Sequence, residues 1–224
     1  MLSMKSCYIG FYEDSLESKS EIPLINTYLP VVPLTWDRKF ARWVSRIASP
    51  PLLAAFAIFI VAIQSGQNST WLWASISILI SIFFPVLFIL YLVKTNRITD
   101  FDVYRREQRF LPYVFTLGCS GLNCLILAWF DAPPLLLILA VAGLGQTFFM
   151  FIITFWWKIS AHAAASASFA MLTWIVGGNV FASAFLLIPL VAWSRVRLHR
   201  HTLGQTIAGA LMGLATFTFV AMFI

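Results

Sequence analysis

Apolar residues run through most of this chain in long, continuous stretches. Several stretches approach or exceed the roughly 20 residues that an α-helix needs to cross a bilayer. Continuous runs of this kind lack the two-residue alternation that is typical of a transmembrane β-barrel. The pattern therefore predicts an all-α protein, a polytopic bundle of transmembrane helices.

The apolar stretches can be delimited by the polar residues between them, and one stretch is exceptionally long. They cover residues 49–65, 71–93, 110–130, 135–157, 163–193 and 203–223. One helix over 163–193 would be about 46 Å long, too long for an ordinary crossing. Gly177 and the two residues after it interrupt this stretch. We therefore predict two helices there, at roughly 160–176 and 180–195, joined by a tight turn. The total is seven spans, or six if the stretch forms one helix.

The residues ahead of the first apolar stretch divide into two parts. Residues 1–35 are polar and then punctuated by proline, which predicts an irregular arm. Residues 36–48 repeat large apolar side chains at helical spacing and place basic side chains on the other face. This pattern favours an amphipathic helix in the headgroup region, with a partner-binding helix as the alternative. Residues 49–224 form the predicted transmembrane domain.

Composition and charge placement support a membrane location. Of the 224 residues, 60% are hydrophobic and 11% are charged, too few charges to cover a soluble domain of this size. The 15 lysine and arginine residues lie in the N-terminal region, in 94–109, at Lys158 and in 195–200. With seven spans these regions share one side, which the positive-inside rule makes cytoplasmic. We see no secretory signal peptide and expect a bacterial inner-membrane protein with no nucleic-acid partner.

Candidate chemistry is concentrated in three segments on this predicted basic side. They are residues 94–112, 158–162 and 194–205. Clustered arginines can hold phosphate oxygens, and histidine can act as a nucleophile or a proton donor. Arginines at a membrane boundary are also ordinary topology determinants. The coincidence of a Ser-Ala-His and a Ser-Arg-x5-His sequence on one side favours a site for a phosphorylated lipid.

The last of these segments has a distinctive spacing. Ser194 and Arg195 are followed after five residues by His201 and after three more by Gln205. This spacing resembles the SRxxxxxHxxxD signature of the type 2 phosphatidic acid phosphatase superfamily, with glutamine in place of the aspartate. The family's other signatures are KxxxxxxRP and PSGH, and the resemblance covers roughly residues 90–224.

The other two signatures are matched less closely. Ser160 and His162 keep the serine and the histidine of PSGH. The first signature is represented by arginines ahead of a proline, namely Arg105, Arg106 and Arg109. The spacing between lysine and arginine in KxxxxxxRP is not kept.

The resemblance implies a lipid phosphate phosphatase that needs no metal or other cofactor. His201 would attack phosphorus and form a phosphohistidine, and His162 would protonate the leaving alkoxide. The phosphate oxygens would be bound by Arg195 and Ser160 and by the arginines of the first signature. Lys158, which matches no signature, is a further candidate phosphate ligand because of its charge. Gln205 can accept a hydrogen bond from His201 but cannot balance an imidazolium charge. The implied substrate is a phospholipid or isoprenoid phosphate or diphosphate monoester.

Two other functions stay open. A non-catalytic lipid-binding or scaffolding protein would explain the glutamine in place of the aspartate. A magnesium-dependent prenyl-diphosphate enzyme is suggested only by Asp100 and Asp102, either of which could otherwise supply the missing carboxylate. Transport is disfavoured because the spans are nearly uncharged. The three cysteines lack the paired spacing of a disulfide framework or a zinc site.

Overall fold

A computed structural model of the chain describes residues 35–222, so the predicted arm at 1–35 lies almost entirely outside the described residues. All regular structure in the described part is helical, which confirms the all-α prediction. The α-helices are α1 (Trp36–Ile47), α2 (Pro50–Ser65), α3 (Asn68–Ile78), α4 (Phe84–Lys94), α5 (Phe110–Trp129), α6 (Pro134–Thr154), α7 (Ala161–Gly177), α8 (Leu187–Arg197) and α9 (Leu203–Ala221). A π-helical turn, Leu79–Phe83, joins α3 to α4.

Several of these elements are long and apolar enough to cross a membrane. Within the described residues they are Asn68–Lys94, Arg106–Trp129, Pro134–Thr154 and Ala161–Arg197. The pair α1 and α2, bent by 47°, makes a fifth if it is counted as one span. These helices identify an integral membrane protein. The number of crossings, for which the apolar pattern indicates seven, stays a prediction.

The stretch 163–193 is not one straight helix. α7 ends at Gly177, and Gly178 has a φ of 68° and a ψ of -157°, a backbone conformation that favours glycine. The nine residues Gly178–Leu186 then form a 3₁₀-helix that leads into α8. Phe169 of α7 and Val191 of α8 pack in the same apolar cluster, so the two helices lie side by side. The chain reverses through a 3₁₀-helix, and the predicted tight turn is wrong.

α7 is buried over most of its surface, and its close contact with α9 depends on small residues. A Cβ atom on Gly209 would lie 2.4 Å from the carbonyl oxygen of Ser160. One on Gly213 would lie 2.2 Å from the carbonyl oxygen of Ala164. Glycine at this spacing lets the backbones of two membrane helices approach closely. The start of α9 is thereby fixed against the start of α7.

The polar connections gather at one end of the bundle, here called the basic end. It comprises α1, the loop 95–105, the segment 155–160 and the turn 198–202. Asp37 of α1 is ion-paired with Arg197 at the end of α8. Arg106 Nη1 donates to the carbonyl oxygen of Trp156 at 3.0 Å. These contacts bring together segments that are far apart in the sequence.

Candidate functional site

A cavity of about 370 Å³ enters the bundle from the basic end. The charged and imidazole side chains that line it are Asp102, Arg109, His162, Arg195 and His201, and they define the cavity mouth. The inner walls are mostly apolar and come mainly from α2 to α7. The lining residues of α7 run from Ala161 to Leu172, which is about 16 Å along a helix. The cavity therefore joins a largely cationic mouth to an apolar interior.

Arg195, near the end of α8, is the most tightly held cation of the mouth. The residue is 2% exposed, and its Nη1 donates to Ser45 Oγ at 2.6 Å and to Asp102 Oδ2 at 2.9 Å. Its Nε is buried without a hydrogen-bond partner in the described part of the chain. Leaving a buried donor unpaired costs about 1–3 kcal/mol. An anion that accepts from Nε would remove that cost.

Asp102 reaches the mouth from the loop 95–105, whose backbone is strained at the next residue. Val103 has a φ of 47°, a conformation that β-branched residues rarely adopt. The carbonyl oxygen of Val103 accepts from Arg109 Nε at 3.0 Å, which holds the strained residue in place. Burial of the Asp102 carboxyl group opposes its ionisation. Nearby positive charges, chiefly the Arg195 guanidinium, outweigh the effect of burial and lower the pKa of this carboxyl group. Asp102 is therefore anionic at neutral pH and offsets the charge of Arg195.

Of the three arginines that could represent the first signature, only Arg109 lines the mouth. It is buried, and its Nη1 also donates to the carbonyl oxygen of Ile159 at 3.4 Å. Arg105 and Arg106 are exposed and do not line the cavity. Arg106 instead donates to backbone carbonyl oxygens of the segment 155–160. The structure thus separates Arg109 from its two neighbours.

A Schellman turn at the end of α8 positions His201. The Arg200 N–H donates to the Arg195 carbonyl oxygen at 3.0 Å, and the His199 N–H donates to that of Val196 at 2.9 Å. His199 supplies the left-handed residue of this motif, with a φ of 54°. The turn carries His201 back to the mouth, where the side chain is buried.

Gln205 has two roles at the start of α9. Its N–H donates to Thr202 Oγ1 at 3.3 Å, and its Oε1 accepts from the Thr202 N–H at 3.1 Å. These reciprocal bonds form a capping box. The same Oε1 lies 3.3 Å from His201 Nδ1, so the spacing in the sequence does place glutamine against this histidine.

The electrostatic environment keeps His201 neutral. Burial, followed by the positive charges of Arg195, Arg109 and Lys158, lowers the pKa of His201 to about 3. The hydrogen bond to Gln205 opposes this shift but does not overcome it. At neutral pH the imidazole therefore keeps one nitrogen with a free lone pair, as a nucleophile requires.

Ser160 and His162 occupy different positions at the start of α7. Ser160 is fully buried, its Oγ accepts from the Ala163 N–H at 3.3 Å, and it does not line the cavity. Its own N–H donates to the Gln205 carbonyl oxygen at 3.0 Å. His162 does line the cavity, near Arg195 and near Ser45 of α1. Ser160 thus caps and anchors α7, whereas the sequence predicted that it binds phosphate.

Lys158, another predicted phosphate ligand, lies outside the cavity lining. Its Nζ donates to the Arg200 carbonyl oxygen at 3.0 Å and stands 3.6 Å from the centre of the Tyr104 ring. Burial, followed by the charges of nearby arginines such as Arg109, lowers the pKa of Lys158 to about 8. The side chain ties the segment 155–160 to the turn 198–202 and to the loop 95–105.

Sequence reasoning missed Ser45 and assigned no definite role to Asp102. Ser45 is a small polar residue beside Val44 on the buried side of α1, and nothing in its local pattern marks it. Asp102 had a usable signal. It stands seven positions before Arg109, where the KxxxxxxRP signature has lysine. Counting seven positions back from Arg109 would have identified Asp102 as a candidate site residue.

The acidic pair that suggested a magnesium site has other partners. Asp100 is ion-paired with Arg200 at 3.2 Å, and Asp102 with Arg195. Among the described residues, no three His, Cys, Asp or Glu side chains are grouped so that they could hold a metal ion. The Asp100 and Asp102 carboxylates therefore fit ion pairing better than metal ligation.

Comparison with known proteins finds no relative for this chain. It matches no protein-family model, no curated protein and no solved structure. The resemblance to the type 2 phosphatidic acid phosphatases rests on the signature residues alone. The function must therefore be argued from the cavity and the groups at its mouth.

Proposed function

We propose that this protein is an integral membrane lipid phosphate phosphatase. One observation carries the proposal: two imidazoles and two guanidinium groups line the mouth of a cavity whose interior is apolar. A phosphate or diphosphate monoester with a long tail has the matching distribution of polar and apolar groups. Its head would lie at the mouth, and its tail would extend into the bundle.

In the proposed reaction His201 is the nucleophile. With Nδ1–H donating to Gln205 Oε1, the Nε2 lone pair attacks phosphorus while the bond from phosphorus to the lipid oxygen breaks. His162 acts in its imidazolium form, which the Asp102 carboxylate favours; it gives a proton to that oxygen and becomes neutral, and the lipid alcohol leaves. Water then gives a proton to neutral His162 and attacks the phosphohistidine. This second step releases inorganic phosphate and restores neutral His201 and the His162 imidazolium.

Arg195 and Arg109 would bind the phosphate oxygens and stabilise the charge that develops on them. The unpaired Nε of Arg195 is the donor best suited to this role. Asp102 would act as a positioning residue, because it holds Nη1 of Arg195 and brings a negative charge near His162.

Membrane topology belongs to the same proposal. We infer seven crossings, with α3 and α4 forming one of them and α8 crossing together with its preceding 3₁₀-helix. Starting from the basic end, the chain would then leave it four times and return to it three times. The positive-inside rule makes this end cytoplasmic, with α1 in the headgroup region of a bacterial inner membrane. Single cysteines introduced at exposed Arg105 and Val180, in a variant that lacks the three native cysteines, should be labelled from opposite sides.

The test is phosphate release by the purified protein in lipid nanodiscs, with a chelator present. Phosphatidate, phosphatidylglycerol phosphate and prenyl mono- and diphosphates serve as substrates. We expect His201→Ala to lower release by about 10⁶-fold, in line with the loss of a nucleophile. His199→Asn is the matched control, because it changes the exposed neighbour and keeps a residue that tolerates left-handed backbone. Unchanged release in His201→Ala would contradict the mechanism.

A second candidate is a protein that binds lipid phosphates without hydrolysing them. The ion pair between Asp102 and Arg195 favours it, since the carboxylate already occupies one donor of the anion site. The engagement of Gln205 in a capping box favours it too. This function predicts saturable binding of lipid phosphates and no release from any of the substrates above.

A further inference from the structure

The inner part of the cavity contains polar atoms that have no partner. Ser77 Oγ and Asn123 Oδ1 are buried without a hydrogen bond in the described part of the chain. The two residues are 3% and 2% exposed, and both line the cavity. Buried polar groups in native proteins are nearly always hydrogen-bonded. An unpaired pair at one cavity therefore points to a ligand that completes it.

Asn123 is far from the mouth, in a part of the cavity whose lining is mostly apolar apart from Ser77, Ser81 and Ser120. Asn123 lies fourteen residues beyond Arg109, which corresponds to about 21 Å along a helix. The nearby core of the bundle consists of aliphatic side chains such as Ala74, Leu127 and Leu136. Between the two ends, Gln146 is already hydrogen-bonded to Ser168. The unpaired oxygens thus mark a second polar region of the cavity, distinct from the phosphate site.

The size of the cavity limits what can reach this second site. Its volume of about 370 Å³ is near the lower end of the roughly 300–1,000 Å³ that small-molecule sites occupy. A phospholipid with two acyl chains is much larger than this space. One chain that enters at the mouth and extends along α5 and α7 matches the elongated lining better. The interior is therefore suited to a single tail.

The chemistry of the two oxygens limits the tail further. The Asn123 carbonyl oxygen can only accept a hydrogen bond, whereas the Ser77 hydroxyl can donate and accept. A plain hydrocarbon satisfies neither oxygen, and an ester carbonyl satisfies only Ser77. A hydroxyl group on the tail can donate to Asn123 and accept from Ser77.

We propose that the cavity binds a single-chain amphiphile with an anionic head and a hydroxyl group toward the far end of its tail. Asn123 and Ser77 recognise the hydroxyl group, and the arginines at the mouth recognise the head. The assignment of the head rests on the proposed function, whereas the tail site is independent of catalysis. It narrows the substrate class from lipid phosphates in general to hydroxylated single-chain ones.

The experiment compares two non-hydrolysable alkyl phosphonates of equal length, long enough to reach Asn123. One carries a hydroxyl group near the end of the tail, and the other does not. Equilibrium binding is measured with purified protein in nanodiscs. We expect the hydroxylated compound to bind the wild type roughly tenfold more tightly, the effect of one or two satisfied hydrogen bonds.

Variants then assign that preference to the inner site. Asn123→Leu and Ser77→Ala should each reduce it to twofold or less. Ser75→Ala is the matched control, because Ser75 is an exposed hydroxyl on the same helix as Ser77 and bonds only to the Trp71 carbonyl oxygen. It should keep the full preference. If Asn123→Leu fails to elute as a folded monodisperse protein, the smaller change Ser77→Ala carries the test.

Two results would overturn the tail site: equal binding of both compounds by the wild type, or a preference that survives in both variants. The same binding comparison in the His201→Ala variant tests the tail site without the proposed nucleophile, so its result does not depend on phosphatase activity. A tail preference without phosphate release from any substrate sinks only the phosphatase. Phosphate release without a tail preference sinks only the tail site.

Discussion

The two ends of the cavity differ in how their polar groups are satisfied. At the mouth Arg109 bonds to two carbonyl oxygens, His201 faces an amide, and Arg195 is ion-paired through Nη1 and leaves only its Nε unpaired among the described residues. At the inner end Ser77 and Asn123 have no partner among the described residues. The protein itself thus supplies most of the hydrogen bonds of the polar groups at the mouth. The polar groups at the inner end would depend on a ligand for theirs. Changes at the mouth should alter stability and chemistry, and changes at the inner end should alter ligand choice.

The largest expected effect comes from Arg195→Met, which removes an anion donor and leaves Asp102 unpaired. Breaking a buried pair from one side costs about 3–5 kcal/mol, and we expect the lower end because Asp102 is partly exposed. Phosphate release should be lost, and the melting temperature in detergent should fall. Adding Asp102→Asn should restore much of the stability and none of the release. An Arg195→Met variant with the melting temperature of the wild type would refute the stabilising role of the ion pair between Arg195 and Asp102.

Asp102→Asn alone should have the next largest effect. We expect phosphate release to fall about 10²-fold, as when one pre-organised electrostatic group is removed. The pH profile should shift as well, because His162 loses a nearby negative charge. Asp100→Asn is the control, since Asp100 pairs with Arg200 and does not line the cavity. Tighter substrate binding with unchanged turnover in Asp102→Asn would instead make Asp102 a competing anion.

A smaller effect is expected from Gly209→Ala, which tests how the start of α7 is anchored. The new methyl group would lie 2.4 Å from the Ser160 carbonyl oxygen and would force α9 away from α7. Overpacking of this kind costs about 1–3 kcal/mol and should lower the melting temperature. Gly204→Ala, where a Cβ atom meets nothing within 4 Å, should change it little. Equal melting temperatures for the two variants would argue against the close contact.

The smallest effect concerns the pH dependence of stability through His201. Burial and the nearby cations lower its pKa from 6.5 to about 3 in the folded protein. Between these values the unfolded chain binds a proton that the folded chain does not. The stability that neutral His201 contributes to the fold is therefore fully present above about pH 6.5 and is lost as the pH falls toward 3. The melting temperature should fall less steeply on acidification in His201→Gln; a slope equal to that of the wild type would contradict the shift.

The helices were predictable because the length of an apolar run sets the length of a membrane helix. The prediction 49–65 corresponds to Pro50–Ser65, and 110–130 corresponds to Phe110–Trp129. The 3₁₀-helix Gly178–Leu186 was not predictable, because its sequence is as apolar as the helices on either side. Glycine indicated that the chain turns there, but it did not indicate how many residues the turn would take.

The candidate site was predictable only where its members share a local spacing. His201 and Gln205 are one helical turn apart, so their contact follows from the sequence. Ser45 and Arg195 are 150 residues apart, and no local pattern connects them. Lys158 was assigned to phosphate because of its charge alone, whereas its position depends on Tyr104 and on a backbone carbonyl oxygen. Contacts of this kind become visible only in the folded chain.

The hydrogen bond from the Ser160 N–H to the Gln205 carbonyl oxygen joins two segments that are synthesised at different times. α7 is synthesised well before α9, so the surface of α7 that contacts Gly209 stays open until the later helix is made. During that interval Ser160 lacks its backbone acceptor, and His201 lacks Gln205. A nascent chain stalled ahead of Leu203 therefore has an open helical surface and an incomplete mouth.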